Sequence, residues 1–189
     1  ELLSANEYKV VCKLKELLHW DEEHQFCGKC AHKLKQLTDI SKQCPNCGRE
    51  YWPSPSPAII VLVEKPSEDG VKDHDEVLMI RTHTFPGSFH SLVAGYVESS
   101  ETLEETVKRE VLEETGISIK NIRYVASQSW PFPFVQMIGF RAEYADGTLQ
   151  LQEDEIERGG WFRRNNLPEL PGKISLARKL IDQWLREGE

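Results

Sequence analysis

The chain has 189 residues, 39% of them hydrophobic and 29% charged, enough for one ordinary globular domain with a small module to spare. Its longest apolar run, Ala58–Val63, is too short to cross a bilayer as a helix, and no repeat of solenoid length is visible. The formal charge of −8 excludes a general polyanion coat and suits a protein that holds divalent cations, although a soluble acidic surface gives the same number. In chain order, residues 2–19 place Leu2, Leu3, Val10, Val11, Leu14, Leu17 and Leu18 at helical spacing, with Cys12 among them as a buried thiol. Residues 26–51 are too poor in apolar side chains for a core and need a staple. Residues 53–57, Pro-Ser-Pro-Ser-Pro, form a stiff connector, so the sequence divides into a helix or linker at 1–25, a small module at 26–52 and a main domain at 53–189.

Strand-like runs follow at 58–63 and 76–81, separated by a polar, solvated loop at Ser67–Asp75, with further extended chain around 89–98. Residues 101–115 read as a helix with Leu103, Val107, Val111 and Leu112 inward, Ser100 placed to cap it and Gly116 to end it. Strands are expected near 121–128, 134–144 and 148–151, the last two joined by an Asp146-Gly147 hairpin turn, and again at 159–163. A closing helix is expected over 174–187, with Ile174, Ala177, Leu180, Ile181, Trp184 and Leu185 on one side. Strands and helices without regular alternation point to an α/β fold with a mixed sheet packed between helices.

Four of the five cysteines, Cys27, Cys30, Cys44 and Cys47, have the spacing C-x2-C-x13-C-x2-C. Two such knuckles direct four thiolates at one zinc ion, a closed and therefore structural site; two redox pairs are the alternative. His24 and His32 read as surface residues. An odd cysteine count and paired C-x-x-C spacing place the chain in a reducing, cytoplasmic compartment. It starts at Glu1 without methionine and reads as a fragment of a longer chain.

Glu110, Glu113 and Glu114 stand at i, i+3 and i+4, one turn apart on one helix face. Like charges so placed repel unless a cation intervenes; Mg²⁺ or Mn²⁺ suits an all-oxygen cluster, and a solvated acidic face is the alternative. Arg109 points elsewhere, toward Glu101. The wider pattern G-x5-E-x7-R-E-U-x-E-E-x-G-U is met by Gly95, Glu101, Arg109, Glu110, Val111, Glu113, Glu114, Gly116 and Ile117. Its fixed positions arise by chance on the order of 10⁻⁸ per start site. Downstream, residues 127–133 read Ser-Gln-Ser-Trp-Pro-Phe-Pro, where two prolines fix Trp130 and Phe132 on a rigid loop. Those rings either stack on a base or nicotinamide or plug the core.

The first pattern resembles the signature box of the Nudix hydrolases. The second is similar to the S-Q-P-W-P-F-P-x-S motif of their NADH pyrophosphatase branch, as are the four-cysteine ribbon and the stretches at 17–20 and 24–27. Ser129 and Val135 depart from that motif, Tyr96 stands where phenylalanine is common, and Ala31 follows the second cysteine where glycine is usual. The resemblance implies a Nudix α/β/α sandwich behind a zinc ribbon. It also implies hydrolysis of NADH or NAD⁺ to the nicotinamide mononucleotide and AMP, with the NAD cap of RNA a related substrate. Other nucleoside diphosphates (ADP-ribose, FAD, dinucleoside polyphosphates) and a non-catalytic nucleotide- or RNA-sensing module are the alternatives.

On this resemblance Glu110 and Glu114 bind the catalytic metal, assisted by Glu113 and the carbonyl of Ala94. Glu155 is a late ligand or the general base, and Gly95, Glu101, Arg109 and Gly116 are structural. Trp52, Tyr96, Gln128, Ser129, Trp130, Pro131, Phe132, Pro133, Phe134, Val135 and Ala177 match substrate-contacting positions. His83 and His90 are surface or packed residues. The implied assembly is a homodimer, with no membrane partner.

Overall fold

The structure is a computed structural model and describes residues 4–84 and 86–188, so Leu2 and Leu3 of the N-terminal stripe lie outside it. The chain forms two compact units, Glu1–Ser56 with Ser129–Gln136, and Pro57–Gln128 with Met137–Glu189.

In the first unit, helix α1 (Ala5–Glu23) begins at a capping box: Ser4 accepts from the Glu7 amide, and the Glu7 carboxylate accepts from Ser4 N at 2.8 Å. Cys12 is buried, as expected, but Val10, Val11, Leu14 and Leu18 remain largely exposed, so the apolar stripe is uncovered within this unit. The helix runs past the expected end because a buried cation holds it. The Lys42 ammonium donates to the carbonyls of Asp21 (2.9 Å) and His24 (2.8 Å), pairs with the Asp21 carboxylate at 2.8 Å, and lies 5.3 Å from the Trp20 ring centre. A cation at the carbonyl end of a helix opposes the dipole and occupies acceptors that have no intrahelical donor. Lys42 belongs to a three-stranded antiparallel sheet of β1 (Lys35–Thr38), β2 (Ser41–Gln43) and β3 (Glu50–Tyr51). Its apolar centre is only Cys27, Leu34 and Cys44 backed by Tyr51, which is too small to hold a fold without a cross-link.

The second unit is built on a six-stranded sheet of order β7-β8-β4-β5-β9, with β6 paired to β4. The strands are β4 (Ser56–Lys65), β5 (Glu76–Thr82), β6 (Val93–Tyr96), β7 (Ser118–Trp130), β8 (Val135–Asp146) and β9 (Ile156–Arg163). β5 and β6 are antiparallel to β4, whereas β8 runs with it: Ser56 N donates to Phe134 O near one end and Glu64 meets Arg141 near the other. The sheet is therefore mixed. The continuous apolar run of β4 reflects cover on both faces. Ile59, Val61 and Val63 pack with Val107 and Val111 of α2 (Leu103–Thr115); Ile60 and Leu62 pack with Leu180, Ile181 and Trp184 of α3 (Leu176–Arg186). These three layers are the expected α/β/α sandwich.

Several local expectations are corrected. Ser100 does not cap α2; it sits at φ 77°, and Thr102 caps instead, its hydroxyl accepting from Glu105 N while the Glu105 carboxylate accepts from Thr102 N. Leu112 is exposed, since it follows Lys108 by four residues on the polar face. No strand forms at 148–151 and Asp146-Gly147 is not a hairpin turn. Gln150 N donates to Thr115 O (2.9 Å) and Gln152 N to Glu114 O (3.0 Å), so this segment satisfies the end of α2 rather than pairing with β8. Gly116 ends α2 at φ 69°, as expected, where a Cβ would also crowd Thr148 O at 3.2 Å. Ile174 precedes α3 and is exposed, because Ser175 is the N-cap. β6 is shorter than the extended stretch expected around 89–98, whereas β4, β5, β7, β8 and β9 run longer than expected at one or both ends, β9 because it pairs with β5 along its whole length. Among the described residues no helix is long and apolar enough to cross a membrane.

Candidate active site and zinc site

The carboxylates of the second unit gather where α2 meets β6. Gly95 of β6 makes this possible. A side chain there would place its Cβ 2.0 Å from the Glu110 carboxyl carbon, so only glycine lets that carboxylate lie against the strand. Ala94, the neighbouring carbonyl donor proposed from sequence, is half-buried and registers with Ile60 of β4.

Arg109 does not point away from the cluster. Its guanidinium donates to both Glu101 oxygens (2.6 and 2.9 Å), to Glu110 (2.8 Å), to Glu113 (3.1 Å) and to the Tyr96 carbonyl (3.0 Å). It thus ties the chain entering α2 to the carboxylate-bearing side of the helix. Glu101 also accepts from Glu98 N (3.0 Å) and from the buried Thr106 hydroxyl (2.9 Å). The Arg109 hydrogen bond, then the Glu98 amide, holds the Glu101 carboxyl down at about 2. The Arg109 side chain is raised further above its usual range, chiefly by Glu101.

Glu114 is the most deeply placed carboxylate, 5% exposed, and its Oε2 has no hydrogen-bond partner among the described residues. Burial, then the charges of Glu110, Glu155 and Glu113, push it up to about 8. Burial also raises Glu110, against the opposing pull of Arg109. Glu113 and Glu155 are exposed. Glu155 lies in the turn before β9, where its carbonyl accepts from His83 N at 3.2 Å and its charge acts on both Glu110 and Glu114. Glu110, Glu155 and Glu113 all act on Glu114 through their charges, although among the described residues only the four cysteines stand close enough together to form a ready-made ligand cluster. A buried carboxylate oxygen with no donor, in the field of three further carboxylates, is compatible with a hard dication.

The substrate-contacting candidates fall in both units. Trp52 and Ser129–Val135 belong to the first; Tyr96, Gln128 and Ala177 belong to the second. Tyr96, Trp52 and Phe132 expose about half of their surface, whereas Pro131, Val135 and Ala177 are buried. In the first unit Trp130 and Phe132 meet edge to face at 5.6 Å. This loop is held by residues the sequence reading did not nominate: Lys15 lies 4.7 Å over Phe132, Glu16 accepts from the Ser129 hydroxyl, and His19 packs edge-on against Phe134. No local spacing announces contacts between residues more than a hundred positions apart. Thr106, by contrast, has a readable cue: a hydroxyl one turn before Arg109 on the inward side of α2. Of the remaining histidines, His83 is exposed on the Glu153 carbonyl and His90 packs against Phe162.

Cys27, Cys30, Cys44 and Cys47 present sulfurs all within 4.8 Å of one another, the closest pairs at 3.5 and 3.6 Å. Tetrahedral thiolates at a zinc–sulfur bond of ~2.3 Å are separated by about 3.8 Å, so the cluster has the size of a zinc site. The His32 backbone N–H, then the Asn46 side chain, favour the Cys30 thiolate and hold it at about 5. The Arg49 amide favours the Cys47 thiolate, yet burial and the other three sulfurs lift it to about 11, an opposition that a dication relieves. Tyr51 donates its hydroxyl to Cys27 Sγ (3.1 Å) while accepting from Gly28 N (2.9 Å). His24, stacked on Trp20, and the exposed His32 are not part of the four-sulfur group, as expected.

A family model described as NUDIX domain matches residues 56–185, and one described as NADH pyrophosphatase zinc ribbon domain matches residues 22–52. The chain is 44% identical over 186 residues to the NAD-capped RNA hydrolase NudC of Haemophilus influenzae (strain PittGG), covering 97% of this chain and 68% of that protein. It is 43% identical over 167 residues to the protein of that name from Pseudomonas aeruginosa, covering 88% of this chain and 57% of the relative. The chain thus spans roughly two thirds or less of the curated relatives it matches. Among solved structures, a NUDIX hydrolase from Nitrosomonas europaea aligns with a TM-score of 0.68 at 21% identity, covering 86% of this chain and 91% of that one, a likeness of fold.

Proposed function

Since the chain belongs to the Nudix hydrolase family, we propose that it hydrolyses the pyrophosphate bond of NAD(H), free or as the 5′ cap of RNA, releasing a nicotinamide mononucleotide end and an AMP end. The observation that carries this reading is the partnerless buried oxygen of Glu114, whose carboxyl lies in the field of Glu110, Glu155 and Glu113. The name shared by the relatives supports the substrate class.

Glu110, Glu113, Glu114 and Glu155, with the Ala94 carbonyl, would hold Mg²⁺ or Mn²⁺. Such an ion, when bound, neutralises pyrophosphate oxygens and lowers the pKa of water. Glu155, exposed beside the cluster, either completes the ligand set or takes the proton from the attacking water. Arg109 fixes the reach of Glu110 and Glu113, and Glu101 and the Tyr96 carbonyl fix Arg109. Trp52, Trp130 and Phe132 of the first unit, and Tyr96 of the second, are each exposed or half-exposed rings able to stack on a base, with Ser129 and Phe134 in the first unit and Gln128 in the second as further contact candidates. The buried Pro131, Val135 and Ala177 and the exposed Pro133 act through backbone shape.

The four-cysteine module at 26–52 holds structural zinc, between a helical segment at 1–25 and the catalytic domain at 53–189. A homodimer in a reducing cytoplasm completes the reading.

The test is product analysis after incubation with NADH and Mg²⁺ or Mn²⁺. Nicotinamide mononucleotide plus AMP, lost with chelator and in Glu110→Gln with the fold retained, supports the reading. Intact NADH with turnover of ADP-ribose or FAD overturns the substrate, and unaltered activity in Glu110→Gln overturns the metal-helix mechanism.

A further inference from the structure

The four-sulfur cluster and the aromatic loop at Ser129–Gln136 belong to the same unit, and α1 touches both. Among its described residues α1 buries only Cys12 and Trp20, while Val10, Val11, Leu14 and Leu18 stay exposed. A helix draws most of its stability from packing rather than from propensity, so α1 depends on the few groups that grip it.

The grip at its C-terminal end comes from the four-cysteine module. Trp20 is stacked on His24 at 5.4 Å and faced by the Lys42 ammonium, which also takes the Asp21 and His24 carbonyls. Just past the helix, Leu34 N donates to Gln25 O at 2.9 Å. Lys42 lies in β2, two residues before Cys44. Tyr51, its register partner on β3, donates its hydroxyl to Cys27 Sγ. The cation is thus set in place by strands that close on the sulfurs. Those strands share an apolar centre of Cys27, Leu34 and Cys44, so their register needs the cross-link that a bound zinc supplies.

The loop is held from the same helix. Lys15, Glu16 and His19 lie within six residues of Asp21, about 9 Å along the axis at 1.5 Å per residue. They meet Phe132, the Ser129 hydroxyl and Phe134 respectively. Ser129 stands where the signature motif has proline. A backbone angle that proline would fix by itself is here steadied through a side chain bonded to α1.

We propose that zinc occupancy governs the shape of the aromatic loop, transmitted through Lys42 and the last turns of α1, so that the zinc site controls substrate recognition rather than bond cleavage. The two-state element is the module itself: folded around the ion it positions Lys42, and without the ion it releases it. Glu110, Glu113, Glu114 and Glu155 belong to the other unit and take no part in these contacts. Only the consequence for recognition rests on the hydrolase reading above.

The test is hydrogen exchange read by mass spectrometry on the full chain, zinc-loaded and after treatment with a zinc-selective chelator. It compares the unaltered protein with Lys42→Met and with Lys15→Ala/Glu16→Ala/His19→Ala, three positions that are exposed or half-exposed. Losing a hydrogen bond to a charged group opens a segment by roughly tenfold or more. Removing zinc should accelerate exchange across 129–136 by that factor and leave 57–128 as it was. Lys42→Met, with zinc still bound and 26–51 still protected, should show the fast loop in the presence of zinc and no further change without it. In that zinc-loaded variant NADH KM should rise roughly fivefold or more, with kcat within about twofold. A loop whose exchange ignores zinc overturns the proposal. So does a loop that responds to zinc in Lys42→Met as it does in the unaltered protein, or acceleration that spreads through 57–128. If Lys42→Met loses zinc or its fold, the helix variant decides: its loop should exchange fast with 26–51 protected, and a loop still protected by zinc there overturns the proposal. An unchanged KM overturns the control of recognition. If the unaltered protein does not hydrolyse NADH, the hydrolase reading fails, while the exchange comparison still decides the coupling.

Discussion

Replacing Gly95 by alanine separates catalysis from folding. The added Cβ would lie 2.0 Å from the Glu110 carboxyl carbon and 2.0 and 2.3 Å from its oxygens, against an ordinary carbon–carbon contact of ~3.5–4.0 Å. The carboxylate must therefore retreat by about 1.5–2 Å. It sits at the end of a flexible side chain, so the fold yields easily, and alanine at a position without positive φ gains ~0.4–1 kcal/mol from the less disordered unfolded chain. Stability should thus change by less than about 1 kcal/mol, or a melting shift of roughly 2–4 °C. A catalytic group displaced by ~1 Å costs on the order of 10²-fold in rate, so NADH kcat/KM should fall at least that far. Glu110→Asp in the Gly95→Ala background withdraws the carboxylate by about one methylene and should recover part of the loss. The assays are NADH turnover and thermal melting on the same preparations. Activity within twofold of the unaltered protein would refute the close approach of Glu110 to β6 as a requirement; a large melting loss would show that Gly95 serves the fold.

Ala31 occupies φ 58°, a conformation that costs an L-residue roughly 1–2 kcal/mol. Ala31→Gly should stabilise the four-cysteine module by about 0.5–1 kcal/mol after the extra unfolded-state entropy of glycine, measured as a higher midpoint for zinc release; no shift or a lower midpoint contradicts it. Lys42→Met removes a nearly buried cation from two carbonyls and the half-exposed Asp21, which should cost about 2–4 kcal/mol, with hydrogen exchange accelerating first in the last turn of α1. Protection retained there would show that the cap is dispensable. The Glu101 carboxyl, held at about 2 by Arg109, lies below its unfolded value of 4.5. Its stabilisation is therefore complete above pH ~4.5 and lost as pH falls toward 2, so Glu101→Gln should flatten the acid limb of melting temperature against pH. An unchanged limb places the acid sensitivity elsewhere.

The features that could be read from the sequence are those set by short-range spacing. The carboxylate helix, the glycine that ends it and the four-sulfur cluster needed only residues within a turn or a knuckle of one another. The doubly covered strand at 58–63 was visible because burial on both faces leaves no polar positions. The failures arose where a distant partner decided the outcome. Residues 148–151 carry strand-like side chains, but the open carbonyls of Glu114 and Thr115 capture their amides first. The end of α1 could not be placed because Lys42, a residue that looks like surface charge in sequence, is the group that holds it. Arg109 seemed committed to Glu101 alone, since a guanidinium's several donors are not visible in a pairwise motif. The exposed N-terminal stripe shows the limit of periodicity, which identifies an apolar helix face without saying what covers it.

The loop at Ser129–Gln136 joins β7 to β8, yet clusters with the N-terminal unit rather than with the sheet whose strands it connects. Cutting the chain in the proline-rich connector would thus yield a piece with every carboxylate in place but without the helix side chains, Lys15, Glu16 and His19, that shape its aromatic finger. The conformation of that loop is thus specified by two stretches of sequence more than a hundred residues apart, and an exchange of the first fifty-odd residues would change the surroundings of its aromatic rings without altering any residue of the loop itself.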